Sequence, residues 1–344
     1  MGSTIPYDAI LLVSFGGPEN RDDVMPFLEN VTRGRGVPRE RLLEVAEHYY
    51  HFDGVSPLNA QNRALLTALR ALLDARGPAL PLYWGNRNWR PLLTETVARM
   101  ADDGIRRALA FVTSAFASYS SCRQYLDDIA RARAEVGARA PVIDKLRLYW
   151  DHPGFIEPMV EHAEAALAAL PDDARGGAHL AFTAHSVPRV MADTSAYVAQ
   201  LEEASGLVAA RLRSRHPWAL VFQSRSGNPS QSWLEPDIRD HLAALRAQGV
   251  TEVVLVPIGF VSDHLEVQWD LDHEAAARAR ELSMRLTRAA TVGTHPGFVA
   301  MIRDLVLERT AGGPRLTLGR RGPAPDECSA GCCPAPAPRA APRD

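Results

Sequence analysis

The feature that most limits what this chain can fold into is an alternation. Short, continuous apolar runs at 9–15 (AILLVSF), 80–86, 108–114 and 145–150 are separated by stretches of helical periodicity, such as 61–75, 91–103 and 122–136. After DHPG (151–154) the series begins again. A helix at 155–170 precedes a strand at 179–184, and a helix near 194–214 precedes a strand at 218–224. A helix near 237–248 precedes 252–260, a helix near 272–282 precedes 284–289, and a last helix covers 296–310. A run with no polar residue at alternate positions has to be buried on both faces, and a parallel sheet flanked by helices does that. The expected fold is therefore α/β, with two similar Rossmann-like domains, each a roughly four-stranded parallel sheet. The first covers 1–150 and the second 151–312, with the last helix free to pack back on the first domain. From 313 onward the chain is rich in Pro, Ala and Gly. Such a tail builds no core, and it is expected to lack fixed structure except where its cysteines tie it down.

A length of 344 residues suits two domains of ordinary size. The formal net charge of -3 gives no basic excess for nucleic acid, and the run at 131–140 reads as a solvated helix face. The first residues carry no basic segment or cleavage signal, and Pro6 breaks a myristoylation pattern. No apolar run approaches the eighteen or so residues of a membrane span. The expectation is a soluble, cytoplasmic monomer without a transmembrane segment. In that setting the four cysteines, Cys122, Cys328, Cys332 and Cys333, point to metal or redox chemistry rather than disulfides.

In parallel sheets, ligands lie beyond the carboxyl ends of the strands. The residues to read are therefore Gly16-Gly17-Pro18, Gly85 to Asn88, Ser114, His185-Ser186, Gln223 to Gly227 and Phe260 to Glu266. None of these segments holds a G-x-G-x-x-G or a P-loop, so no nucleotide is expected. The segment 256–274 (VPIGFVSDHLEVQWDLDHE) packs Asp263, His264, Glu266, Asp270, Asp272 and Glu274 into twelve positions. Glu266, Asp270 and Glu274 recur every four residues, which puts three carboxylates in one row on a helix. They need either bulk water, as an exposed acidic first turn, or a cation. His185 closes its strand either as a hydrogen-bonding residue or as a ligand and base. If the two strands are neighbours, an imidazole and a carboxylate face one another. Such a pair can hold a divalent ion of the iron or zinc type and can move protons.

Seven segments carry a family resemblance: LLVSFGGPE (11–19), GVSPLNAQ (54–61), GNRNWRP (85–91), SYSSCRQY (118–125), FTAHSVP (182–188), 222–238 and 257–274. Together, over about residues 7–310, they resemble the ferrochelatases, which insert Fe²⁺ into a porphyrin between two Rossmann-like domains. The resemblance implies that His185 and Glu266 are the iron-binding and proton-handling pair, with Asp263 and His264 orienting them. It makes Asp270 and Glu274 the continuation of a path for incoming metal or departing protons. Ser56, Tyr125 and Tyr49 match positions that contact the macrocycle or its propionates. Arg33 and Arg35 either pair propionates or lie in a solvated loop. Phe15 stands where some relatives carry a tyrosine that ligates product iron, and Trp233 either lines the pocket or is core.

Certain ferrochelatases hold a [2Fe–2S] cluster with one internal cysteine and three near the C-terminus. The resemblance gives Cys122, Cys328, Cys332 and Cys333 that role. The competing readings are a buried inert thiol at Cys122 and free thiols in the tail. The function implied is Fe²⁺ insertion, with coproporphyrin III as the porphyrin because no apolar membrane-binding lip is evident. Protoporphyrin IX is the alternative substrate, and a non-catalytic haem or metal carrier is the alternative function. A Rossmann oxidoreductase would need the missing glycine fingerprint.

Overall fold

A computed structural model describes residues 6–225, 231–329 and 331–335; Ser226 and Gly227 lie outside the described residues. The first half contains β1 (Ala9–Ser14), α1 (Arg21–Val31), α2 (Arg39–His51), α3 (Leu58–Arg76), β2 (Leu82–Asn86), α4 (Leu93–Asp102), β3 (Arg107–Val112), α5 (Gln124–Val136) and β4 (Val142–Lys145). The second contains α6 (Pro153–Ala168), short α7 (Asp172–Arg175), β5 (His179–His185), short α8 (Arg189–Asp193), α9 (Tyr197–Ala209), β6 (Trp218–Gln223), α10 (Ile238–Ala247) and β7 (Glu252–Val256). One helical turn, α11 (Leu265–Val267), then leads into a π-helix at Gln268–Ala275, followed by α12 (Ala276–Glu281), β8 (Arg285–Arg288) and α13 (Pro296–Ala311). A second π-helical turn, Tyr119–Arg123, precedes α5.

The strands form two four-stranded parallel sheets, ordered β2-β1-β3-β4 and β6-β5-β7-β8. These orders are the same, so the expected pair of similar α/β halves is what the chain forms. One expected strand is displaced. The run at 145–150 is apolar because Leu146, Tyr149 and Trp150 are buried between the halves, while the hydrogen-bonded strand is Val142–Lys145.

Each sheet buries an outer face of its own. Leu11, Val13 and Ala110 pack on α4 and α5; Ala181, Val221 and Leu255 pack on α10 and α12. The inner faces share one continuous core. It runs from Ile10 and Phe111 through α3, α6 and α13 to Phe182 and Val256. The last helix does return to the first half: the Arg303 guanidinium donates to the carbonyls of Arg76 and Gly77 at the end of α3. Arg147 pairs with Glu308, their side chains 1% and 2% exposed. Between β1 and α3, the helices α1 and α2 form a separate lobe with a small core of its own, Val24, Phe27, Leu28, Leu42 and Ala46.

The tail departs from expectation. Residues 313–329 and 331–335 follow a defined course over the body. Leu318 N–H donates to the Asp151 carbonyl at 2.8 Å. Thr317 hydroxyl donates to the Asp151 carboxylate, and Arg315 pairs with Asp326 at 2.7 Å. Polar anchoring to the body replaces the core that this composition cannot build. Among the described residues no helix is long and apolar enough to cross a membrane.

Candidate active site

β5 and β7 are adjacent, so the two chemistry-bearing strand ends open on one side of the second sheet. Their loops are pressed together. Gly259 N–H donates to the Thr183 carbonyl at 3.0 Å, and a Cβ at Gly259 would stand 2.7 Å from Ala184 Cβ. Only a residue without a side chain lets the loop after β7 lie against the end of β5. The result is His185 Nε2 3.5 Å from Glu266 Oε2, with the two side chains 34% and 51% exposed. His185 Nδ1 lies 2.5 Å from the Ser186 carbonyl, which can only accept. That contact makes Nδ1 the protonated nitrogen and leaves the Nε2 lone pair facing Glu266. Tyr197 hydroxyl donates to the His185 carbonyl at 3.0 Å and steadies the same residue.

The other acidic residues divide into two groups. His264 Nδ1 accepts from Glu266 N–H at 3.1 Å, so His264 caps the turn that carries Glu266. Burial lowers the His264 pKa. Asp263 orients neither member of the pair directly. Arg288 holds Asp263 at 2.9 Å and grips Asp272 with two bonds of 2.6 and 3.0 Å, while Gln61 of α3 accepts from Asp263 N–H at 2.8 Å. Asp263 therefore anchors the loop at its base, to β8 on one side and to the first half on the other.

Asp270 and Glu274 lie on the π-helix rather than on an α-helix, and Glu266 precedes them on the α11 turn. A wider helix turns about −30° over four residues instead of +40°, so the row still stays on one face. Asp270 is the most enclosed. Its carboxyl is pushed up to about 7, first by burial and then by the charge of Glu266, against a hydrogen bond from Ser224 that lowers it. Ser224 reaches it from a left-handed backbone, φ 61°. Glu274 is less available than its spacing suggests, since Trp269 Nε1 and Arg239 both donate to it at 3.1 Å.

Across the cleft, Tyr49 is half-buried on α2, and burial and the Glu266 charge raise its hydroxyl pKa. Phe15 is 36% exposed, its ring edge-on to Phe27. Ser56 is buried against Gly17 and does not present an open surface. Tyr125 is also buried, in the outer core of the first sheet, with the Arg87 guanidinium 4.5 Å over its ring. Arg87, among the residues after β2 picked out from the sequence but given no role there, is bonded to buried Asp128 and is the polar group beside Tyr125. Arg33 and Arg35 lie exposed in the loop joining α1 and α2 and take part in no ion pair among the described residues. Trp233 is half-buried and pairs with Pro188 beside His185.

Residues 7–310 match the family model described as ferrochelatase. The chain belongs to the ferrochelatase family. It is 55% identical over 358 residues to a protein of Streptomyces coelicolor named coproporphyrin III ferrochelatase, which covers 98% of this chain and 96% of the relative. A Rhodopirellula baltica protein named ferrochelatase is 52% identical over 97% of this chain and 95% of its own length. Among solved structures, SirB from Bacillus subtilis with Fe³⁺ overlays with a TM-score of 0.56 at 11% identity, covering 89% of this chain and 97% of that one. That likeness is one of fold. Ferrochelatases are lyases that insert iron into a porphyrin, so the chain is an enzyme with Fe²⁺ as a substrate.

In this ferrochelatase the tail brings Cys328 near Cys122, although two hundred residues separate them. Cys122 lies buried in the π-helical turn before α5, with Cys328 of the tail as a neighbour. The Cys328 thiol and burial raise the Cys122 pKa; the Cys122 thiol lowers Cys328 to about 5, with Lys145 adding to it. Cys332 and Cys333 lie 3.6 Å apart, and burial pushes Cys333 up to about 12. Among the described residues no three His, Cys, Asp or Glu side chains converge as a site for one ion.

Proposed function

We propose that this enzyme inserts Fe²⁺ into coproporphyrin III, releasing two protons, and that His185 and Glu266 handle iron and protons. The observation that carries the reading is the His185–Glu266 pair, 3.5 Å apart, with the imidazole lone pair turned into the cleft. Metallation removes two pyrrole N–H protons while the metal arrives from one face. Nε2 offers a base or ligand, and Glu266 offers the charge that a dication needs. Asp270, with a carboxyl that titrates near neutrality, passes protons away or receives incoming metal, and Glu274 is the outer end of that path. Tyr49, Phe15, Ser56, Tyr125 and Trp233 line or back the macrocycle's place. The relatives' names support the choice of porphyrin. So do Arg33 and Arg35, outside every ion pair among the described residues and on the lobe beside the cleft, because coproporphyrin III has four propionates for guanidinium groups to meet.

Both walls of the cleft come from one chain, which suits a monomer. The four thiols stand free, which suits a reducing cytoplasm. They would also hold a [2Fe–2S] cluster. The donor set fits in kind, four thiols for a cluster that takes two thiolates per iron, with Cys332 and Cys333 3.6 Å apart and Cys328 beside Cys122; since no three converge among the described residues, the tail would shift to gather them. Its ligation would fasten the tail to the body.

An anaerobic assay with Fe²⁺ and each porphyrin, followed by the Soret shift, tests the function. Catalytic turnover with higher kcat/KM for coproporphyrin III is expected. A preference for protoporphyrin IX overturns the substrate, and binding without turnover makes the protein a carrier. Iron and sulfide analysis tests the cluster. About two of each per chain are expected, lost on Cys332→Ser. Protein from iron-replete cells with no sulfide overturns it, and full absorbance in Cys122→Ser removes Cys122 from the ligands.

A further inference from the structure

The α1–α2 lobe leaves and rejoins the first half at one neck. Gly54, at φ +76°, brings the end of the lobe against its beginning: a Cβ there would stand 2.5 Å from Arg21 Cα. The lobe has its own core and, among the described residues, no hydrogen bond or ion pair to the second half. What joins it to that half is aromatic. Trp269 of the π-helix is stacked on His48 of α2, with centroids 4.0 Å apart and planes 10° apart. Its other neighbour, His273, is stacked at 4.5 Å and 22°. His51 meets Trp269 edge-on at 5.5 Å and His273 at 4.7 Å. The indole N–H is fixed by Glu274. A ring held flat against two imidazoles, with its one donor satisfied, is a defined contact between bodies that little else connects.

We propose that the His48–Trp269–His273 stack is an interdomain latch. It holds the α1–α2 lobe against the metal-handling half, and on the porphyrin reading above it limits how fast a flat macrocycle enters and leaves. Trp269 is a positioning residue in this scheme, since it acts through the lobe and through Glu274. A macrocycle about 10 Å or more across cannot enter between α2 and the π-helix while the stack is closed. Opening at the neck requires breaking this aromatic contact with the second half, together with the lobe's smaller ties to the first: Asn30 donating to the Asn88 carbonyl, Trp89 Nε1 donating to Asp23, and Phe27 edge-on to Phe15 and Trp89.

Hydrogen exchange on full-length protein without porphyrin tests the latch itself. Trp269→Ala is expected to speed amide exchange in residues 39–54 by about tenfold, the order for losing the His48 stack and the edge-on His51 contact across the interface, while the two sheets keep their protection. Trp269→Phe, which keeps a stackable ring, is expected to restore most of it. His48→Ala, a half-buried position on the lobe, serves if Trp269→Ala folds poorly and is expected to act in the same direction. Unchanged exchange in folded Trp269→Ala or His48→Ala overturns the latch. Stopped-flow release of coproporphyrin III then tests its consequence: release about tenfold faster in Trp269→Ala supports it, and equal release overturns it. Wild-type protein that binds no porphyrin would overturn the function proposed above, while the exchange result would still decide the latch.

Discussion

At the scale of residues, the pair His185 and Glu266 gives the sharpest expectation. His185→Ala should abolish metallation while porphyrin binding persists, because Nε2 faces Glu266 rather than a hydrophobic wall. Steady-state assay and porphyrin titration of the same preparation check both halves of that statement. Glu266→Gln should behave likewise, keeping shape and losing charge. Asp270 makes a separate prediction about pH. Its carboxyl holds a proton more tightly in the folded chain than in the unfolded one, at about 7 against an ordinary 3.8. The folded state is therefore penalised as pH rises from about 4 to 7, by at most about 1.4 kcal/mol for each pH unit in that interval. Asp270→Asn carries no such penalty. Urea unfolding should show its stability relative to the parent improving between pH 5 and pH 7.5 and then levelling off. A difference that stays flat with pH would mean that Asp270 is solvated.

At the scale of elements, the close approach of two loops decides the site. Gly259→Ala puts a methyl group 2.7 Å from Ala184 Cβ and 2.8 Å from its Cα, and backbone has to move. We expect a loss of about 1–3 kcal/mol in unfolding free energy, and kcat reduced about tenfold or more because Glu266 moves with the loop. Wild-type kcat in that variant would show that the loop has slack. Most sheet strands were legible because strands buried on both faces are almost wholly apolar, as in β1 and β7; β4 was misplaced because the apolar run beside it is buried between the halves instead. The His185–Glu266 pairing was legible too, once β5 and β7 proved adjacent. The lobe was not legible: its apolar residues serve a small private core, and Pro26 interrupts the periodicity of α1. Nor was the π-helix, whose carboxylate spacing reads the same on an α-helix. Arg288 and Gln61 escaped notice because their partners, Asp263 and Asp272, lie far off in sequence. Trp269 was passed over inside the acidic segment for the same reason: His48 lies more than two hundred residues before it.

At the scale of the whole molecule, the two halves share one continuous core. Arg147→Met leaves the buried Glu308 carboxylate with only Arg315, 4.0 Å away, and should cost about 3–5 kcal/mol, read as a lowered urea midpoint. Changing both to apolar residues, Arg147→Met with Glu308→Leu, should recover much of that loss. A double variant no better than the single one would mean that the hydrogen bond from Arg147 to the Leu316 carbonyl matters more than the pair.

The return of α13 to the first half also bears on how the protein is made. Arg147 and the exposed flank of α3 leave the ribosome long before Arg303 and Glu308. At roughly 5–20 residues per second, the gap of about 160 residues lasts about 8 to 32 seconds. For that time the nascent first half carries an unpaired guanidinium and bare apolar surface where α6 and α13 will sit. A fragment ending at residue 150 should therefore be found with chaperones or in the insoluble fraction, whereas full-length protein collects in the supernatant.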